Sequence, residues 1–257
     1  MRTIGLLGGM SWESSVKYYE IINRAAKRVL GGHHNAVSLM HTVDFAEVER
    51  MQRADAWDDA AALLAAGAES LRAGGAEMLL LCTNTMHRVA PQLQRLAPCL
   101  ADGAEMPLLH IADPTARAIK RAGLSRVALL GTAYTMEHDF YKGRLVASHG
   151  LEVAVPDGRE RAEVHRIVFE ELVHGIVTPP SRDAYAAVID RLAREEGAEA
   201  VILGCTEIGL LVSQRDSIIP VFDTTELHAL AGVERALQGE VDEQKLRSAL
   251  YALDEEQ

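Results

Sequence analysis

Cys205 lies in Leu203-Gly204-Cys205-Thr206-Glu207, where an apolar run gives way to a polar turn. A thiol at a strand end, with a helix beginning behind it, has its pKa drawn from about 8.5 toward neutrality. Such a thiol is a base or a nucleophile at working pH; the alternative is a small buried core residue. A second turn of this kind, Thr83-Asn84-Thr85, follows the apolar residues 78–82. An alcohol is far less acidic than a thiol, so Thr83 donates or relays a proton more readily than it takes one. Cys82, one residue earlier, faces the other way along a strand and is expected in the packing between sheet and helices. Cys99, in a Pro-containing loop segment, is expected to be incidental. Asn84, Thr85 and Thr206 place amide and hydroxyl groups at expected helix starts. There they cap the helix or, with backbone N–H groups, hold a carboxylate.

Gln52-Arg53 precedes the first long helical stretch. Arg53 either grips a carboxylate in bidentate fashion or stands in solvent. The glycine turn Gly5-Leu6-Leu7-Gly8-Gly9-Met10-Ser11 has neither of the spacings that cradle nucleotide phosphates. The histidines show no paired metal-ligand spacing, and His33-His34 are chain neighbours, so no metal is expected. His87 follows the Thr83 turn by one helical turn, which puts it beside that turn or on the surface. The lysines are Lys17, Lys27, Lys120, Lys142 and Lys245, and none falls at a strand-end turn. A pyridoxal enzyme needs a Schiff-base lysine in its pocket, so no cofactor is expected.

These turns need strands to present them. Apolar, unalternating runs occupy residues 3–7, 37–41, 78–82, 108–111, 127–130, 151–155, 200–203 and 220–222. Such runs suit parallel strands covered on both faces. Helical patterns at 58–72 and 182–196 stop at Gly74-Gly75 and at Gly197. Strand and helix in alternation mean a parallel α/β fold. The chain also repeats itself. The stretch from Gly75 (Gly-Ala-Glu-Met-Leu-Leu-Leu-Cys-Thr-Asn-Thr) returns at Gly197 as Gly-Ala-Glu-Ala-Val-Ile-Leu-Gly-Cys-Thr-Glu. Thr3-Ile4-Gly5-Leu6-Leu7-Gly8-Gly9 returns at nearly the same offset as Arg126-Val127-Ala128-Leu129-Leu130-Gly131-Thr132. The expectation is two similar α/β lobes, each a parallel sheet flanked by helices, related by a pseudo-twofold axis with the active site between them. One lobe takes residues 1–115 plus 220–257 and the other 116–219. Ligands of open α/β sheets bind beyond the carboxyl ends of the strands. That selects the turns at 8–11, 83–85, 131–132 and 205–207.

The formal net charge of −11, with no basic run or stripe, argues against nucleic acid as a partner. An acidic substrate would need local donors, because the global field opposes it. No run of 18 apolar residues exists, so no membrane span is expected. Three scattered cysteines and a start without signal-peptide character set the expected compartment as the cytoplasm. The acidic tail, residues 254–257, is expected to fray.

Gly8-Gly9-Met10-Ser11-Trp12-Glu13-Ser14, Cys82-Thr83-Asn84-Thr85-Met86-His87 and Leu203-Gly204-Cys205-Thr206-Glu207 together resemble the aspartate/glutamate racemase family. The match runs nearly the whole chain, in order and spacing. It is nearest to a bacterial branch of L-aspartate/glutamate or broad-specificity amino-acid racemases. The resemblance implies racemisation without a cofactor, by two acid/base residues on opposite faces of Cα. By position, Cys205 is one and Thr83 stands in the place of the other. Met10, Gln52, Asn84, Thr85, Thr132 and Thr206 fall where the family holds substrate, and Ser11, Arg53 and Glu207 complete the expected binding set. The implied partner is a small amino acid, and the implied assembly a homodimer. Most family members have cysteine where this chain has Thr83, so the direction started by Cys205 is expected to be the faster. Leu172-Val173-His174 replaces a lysine that some aspartate-specific members carry. Two other readings stand beside the racemase. A one-cysteine decarboxylase of the same superfamily would release carbon dioxide from a substituted malonate. A sensor that kept the cleft would bind amino acids without Cα exchange.

Overall fold

The computed structural model describes residues 1–251, so the expected fraying of residues 254–257 falls outside it. All eight expected strands form, and all pair in parallel. They build two four-stranded sheets in two compact units. The first unit takes Met1–Cys82, Val89–Leu109 and the described residues from His228 onward. The second takes Thr83–Arg88 and His110–Leu227.

In the first unit, β1 (Ile4–Gly8) lies between β2 (Ser38–Thr42) and β3 (Met78–Leu81), with β4 (Leu108–Leu109) outside β3. The two inner strands are buried along their length, as their apolar runs require. Edge strand β2 is only partly covered. Ile4, Leu6, Met78, Leu80 and Cys82 share a core with Tyr18 and Ile22 of the helix Trp12–Leu30 and with Val233 of the helix Thr224–Leu237. On the other face Gly67, in the helix Trp57–Ala73, meets Leu7 closely: a Cβ there would come 2.8 Å from the leucine. That helix stops where Gly75 takes φ of +95°, a conformation that favours glycine. Each fully buried leucine or isoleucine contributes roughly 1.5–3 kcal/mol.

The second unit repeats the plan. β5 (Arg126–Gly131) lies between β6 (Glu152–Ala154) and β7 (Ala200–Gly204), with β8 (Val221–Asp223) outside β7. Strand side chains alternate faces, and the two faces carry separate cores. Ala128, Leu130, Val201 and Leu203 pack under Val164, Ile167, Tyr185 and Ile189, from the helices Gly158–Glu170 and Pro179–Glu196. Val127, Leu129, Ala200 and Ile202 pack under Ala116, Ile119, Tyr141 and Leu145, from the helices Ala112–Arg121 and Asp139–His149. The repeat read at Gly75 and Gly197 thus becomes one strand order, second–first–third–fourth, built twice. Among the described residues, no helix is long and apolar enough to cross a membrane.

Candidate active site

At the end of β3 the chain changes unit. Cys82 still donates its backbone N–H to Leu7 and is buried in the first core. Residues Thr83–Arg88 then pack with the second unit, which also contains Thr132, Cys205, Thr206 and Glu207. The strand-end turns at 83–85, 131–132 and 205–207 therefore belong to one compact body.

Hydrogen bonds tie these turns together. The Asn84 side-chain amide donates to Thr224 Oγ1 at 2.9 Å, and the Thr224 hydroxyl donates to the Leu203 carbonyl at 2.8 Å. That chain joins the 83–85 turn to the end of β7. Thr85 Oγ1 lies 3.0 Å from Thr132 Oγ1, which lies 3.2 Å from Thr135 Oγ1. That row joins the same turn to the end of β5. Thr132 caps the short helix Ala133–Glu137, accepting from the Thr135 N–H. β5 and β7 meet at Gly131 and Gly204, which are register partners. A Cβ on Gly131 would stand 2.7 Å from the Gly204 carbonyl oxygen, and one on Gly204 would stand 2.9 Å from that of Leu130. Only glycine allows the two strand ends this approach.

His87 is buried and braces the 83–85 turn. Its Nε2 accepts from the Ile111 N–H at 3.2 Å, so its proton sits on Nδ1 and is donated to the Thr83 carbonyl at 2.7 Å. The imidazole bonds the Thr83 backbone. Among the described residues, no side chain hydrogen-bonds the Thr83 hydroxyl.

Cys205 continues the β7 alternation and points to the face of Leu203, into that core, with 7% of its surface exposed. Its Sγ donates to Glu207 Oε2 at 2.9 Å, and the same oxygen accepts the Thr206 hydroxyl at 2.9 Å. The expectation of a thiol activated by a helix behind it is corrected here. The chain beyond Glu207 forms the three-residue turn Ile208–Leu210, not an α-helix. Burial pushes the thiol pKa well up, and the negative Glu207 carboxylate adds to this. The resting group is a protonated thiol with an acceptor in place. Cys82, fully buried, is also pushed up by burial. Cys99 sits in the short turn Pro98–Leu100 beside Glu69.

Asn84 is 2% exposed, and its Oδ1 has no hydrogen-bond partner among the described residues. Leaving a buried amide acceptor unmade costs about 1–3 kcal/mol. Met10, Ser11 and Gln52 lie in the first unit and are buried. Ser11 caps the helix Trp12–Leu30. Gly8 and Gly9 keep that turn tight, since Cβ atoms there would collide with Ser15 and with the Val43 backbone. Arg53, in the same unit, is solvent-exposed and ion-paired with Glu49. Thr224 escaped the sequence reading. Its signal was present, because Asp223-Thr224-Thr225 is another polar turn after an apolar run. Among the described residues, no group of three or more His, Cys, Asp or Glu is placed to hold a metal.

Comparison with known proteins places this arrangement. The family model for Asp/Glu/Hydantoin racemase matches residues 7–232. A candidate Asp/Glu racemase of known structure from Yersinia pestis is 49% identical, with a TM-score of 0.83 over 93% of this chain and 100% of that one. An aspartate racemase homologue from Pyrococcus horikoshii is 33% identical, with a TM-score of 0.78 over the same shares. The broad specificity amino-acid racemase of Bacillus subtilis is 22% identical over 91% of this chain and 98% of its own length. The strand-end turns of the second unit, with their cysteine and their row of threonine hydroxyls, thus sit in a chain that belongs to the Asp/Glu/Hydantoin racemase family.

Proposed function

We propose that this protein racemises amino acids without a cofactor, by proton transfer at Cα between Cys205 and Thr83. The observation that carries the reading is the Cys205 thiol, buried beside hydroxyl-lined turns and already donating to Glu207 at 2.9 Å. When the thiol proton passes to Glu207, the thiolate can take the Cα proton. The electron pair then moves into the substrate carboxylate as an enediolate. Hydroxyls of the Thr85, Thr132 and Thr135 row donate to the charge that builds on its oxygens. A proton returning from the opposite face, from Thr83, gives the other enantiomer. Thr83 then regains a proton from water, because no side-chain acid among the described residues is bonded to it, and Glu207 gives up the proton it took from the thiol to the hydroxide left behind, which resets the site. The opposite direction requires Thr83 to lose its proton before it can take one from Cα, and an alcohol does so far less readily than a thiol with a carboxylate beside it, so the direction begun by Cys205 has the higher kcat.

In this reading the α-ammonium of the substrate satisfies Asn84 Oδ1. Met10, Ser11, Gln52 and Thr206 enter as substrate contacts on the strength of the resemblance. For Arg53 to take a side-chain carboxylate it must leave Glu49. The homodimer and the cytoplasmic location rest on the resemblance and on the cysteine pattern; light scattering should return twice the 28.0 kDa chain mass.

The test is chiral chromatography after incubation with L-Asp, L-Glu and neutral amino acids, with chelator and hydroxylamine present. D-isomer should form under those conditions with the wild type and not with Cys205→Ala. Inversion that survives in Cys205→Ala removes the assignment. The second reading, a decarboxylase, is favoured by the bare Thr83 hydroxyl, since protonating a malonate-derived enediolate needs only one acid. Carbon dioxide released from a substituted malonate, without inversion of any amino acid, would select it.

A further inference from the structure

We propose that Thr224 is a positioning residue that fixes which end of the Asn84 amide faces the ligand, and so makes the site select for an ammonium group. The proposal rests on the amino-acid reading above and adds a residue and a recognition element to it.

The argument is one of proton count. The Leu203 carbonyl can only accept, so the Thr224 hydroxyl must spend its single proton on it, at 2.8 Å. Thr224 Oγ1 then has only lone pairs to offer Asn84. The Asn84 group that meets it, at 2.9 Å, must be the NH2 end. The amide oxygen is thereby turned away from Thr224. It is buried, and no donor among the described residues reaches it. Thr224 is itself fully buried, at the start of the helix Thr224–Leu237. The Leu203 carbonyl it bonds lies two residues before Cys205, so the amide is referenced to the strand that carries the thiol. An acceptor held this way satisfies a cationic N–H donor and repels a carboxylate oxygen. A turned amide would present donors and invert that preference.

The experiment compares the wild type with Thr224→Val, which keeps the side-chain shape, and Thr224→Ser, which keeps the hydroxyl. Each is assayed with L-aspartate, L-glutamate and L-alanine. Inhibition is measured with the matching analogues that lack the amino group: succinate, glutarate and propionate. Thr224→Val should raise KM for the amino acids by about tenfold, with kcat within about threefold. Inhibition constants for the desamino analogues should stay within about twofold of the wild type or fall, and Thr224→Ser should restore KM. An equal loss for both ligand classes would make Thr224 merely structural and overturn the proposal, as would no change in KM. A protein that inverts no amino acid would defeat the racemase reading without touching Thr224. In that event the NMR signal of the Asn84 side-chain NH2 in the ligand-free protein decides. Slow hydrogen exchange lost in Thr224→Val and kept in Thr224→Ser supports the positioning role, and exchange alike in all three overturns it.

Discussion

At the residue scale, reactivity is set by what surrounds Cys205 more than by where it lies along the chain. Position after a strand suggested an activated thiol; burial and the Glu207 carboxylate make it a protonated one. Removing the negative neighbour favours the thiolate, so Glu207→Gln should lower the thiol pKa. Iodoacetamide alkylation against pH, in a Cys99→Ser background, reads this directly. The wild-type profile should rise above the range of a free thiol, about 8.5, and that of Glu207→Gln should shift to lower pH. If Glu207 is the proton acceptor, the same variant should lose turnover while its thiol becomes easier to alkylate. A profile at or below about 8.5 in the wild type would contradict the account. Cys82→Ala empties part of a packed core and should cost about 1–2 kcal/mol by urea unfolding, with little loss of catalysis. Thr83→Cys should keep or raise inversion, because a thiol both gives and takes protons more readily than an alcohol. A folded, substrate-binding but inactive Thr83→Cys would argue against Thr83 as the second acid/base residue.

At the scale of elements, the glycine pair at the ends of β5 and β7 decides how close the 131–132 and 205–207 turns come. Gly204→Ala places a methyl 2.7 Å from Leu129 Cδ1 and 2.9 Å from the Leu130 carbonyl oxygen, and the backbone atom cannot yield by rotation. Overpacking of this kind costs about 1–3 kcal/mol, and activity should fall further than stability alone explains. Elsewhere in the second unit, Asp113 joins two helices by accepting from Arg144 and His149. Burial raises the Asp113 pKa, but the hydrogen bonds and charges of Arg144 and His149 outweigh it and the net shift is downward. A carboxylate lowered on folding stabilises above its unfolded pKa and loses that contribution as pH falls through the folded one. Asp113→Asn should therefore cost about 1–2 kcal/mol at neutral pH, after allowance for the part-exposed Arg144, and almost nothing in strong acid. Urea melts at several pH values test it, and a cost independent of pH would contradict it. The elements themselves were legible in sequence because apolar runs without alternation must be covered on both faces, and glycines at 75 and 197 mark where helices stop. The transfer of Thr83–Arg88 to the second unit was not legible, nor was the Asn84–Thr224–Leu203 chain. Both depend on packing between stretches far apart in the chain, 47 residues for Thr85 and Thr132 and 140 for Asn84 and Thr224, and no local pattern encodes them.

At the scale of the whole molecule, one strand order built twice explains why the candidate turns recur at nearly constant spacing; the copies differ at their ends, where the second carries a thiol with a carboxylate beside it and the first carries Thr83. The net charge of −11 repels an acidic substrate, and salt screens that repulsion. If aspartate or glutamate is turned over, its kcat/KM should rise between low and physiological ionic strength, while that of a neutral amino acid stays flat. A fall for the acidic substrate would mean that local cations such as Arg53 dominate the approach. The most direct test of the central claim is deuterium incorporation. Dialysed protein is incubated with single L-amino acids in deuterated water, and the Cα proton signal is followed by NMR beside chiral analysis of the product. The account predicts Cα exchange together with D-isomer in the wild type, and neither in Cys205→Ala; a wild type that shows no exchange with any amino acid, or a Cys205→Ala variant that still exchanges, would contradict it.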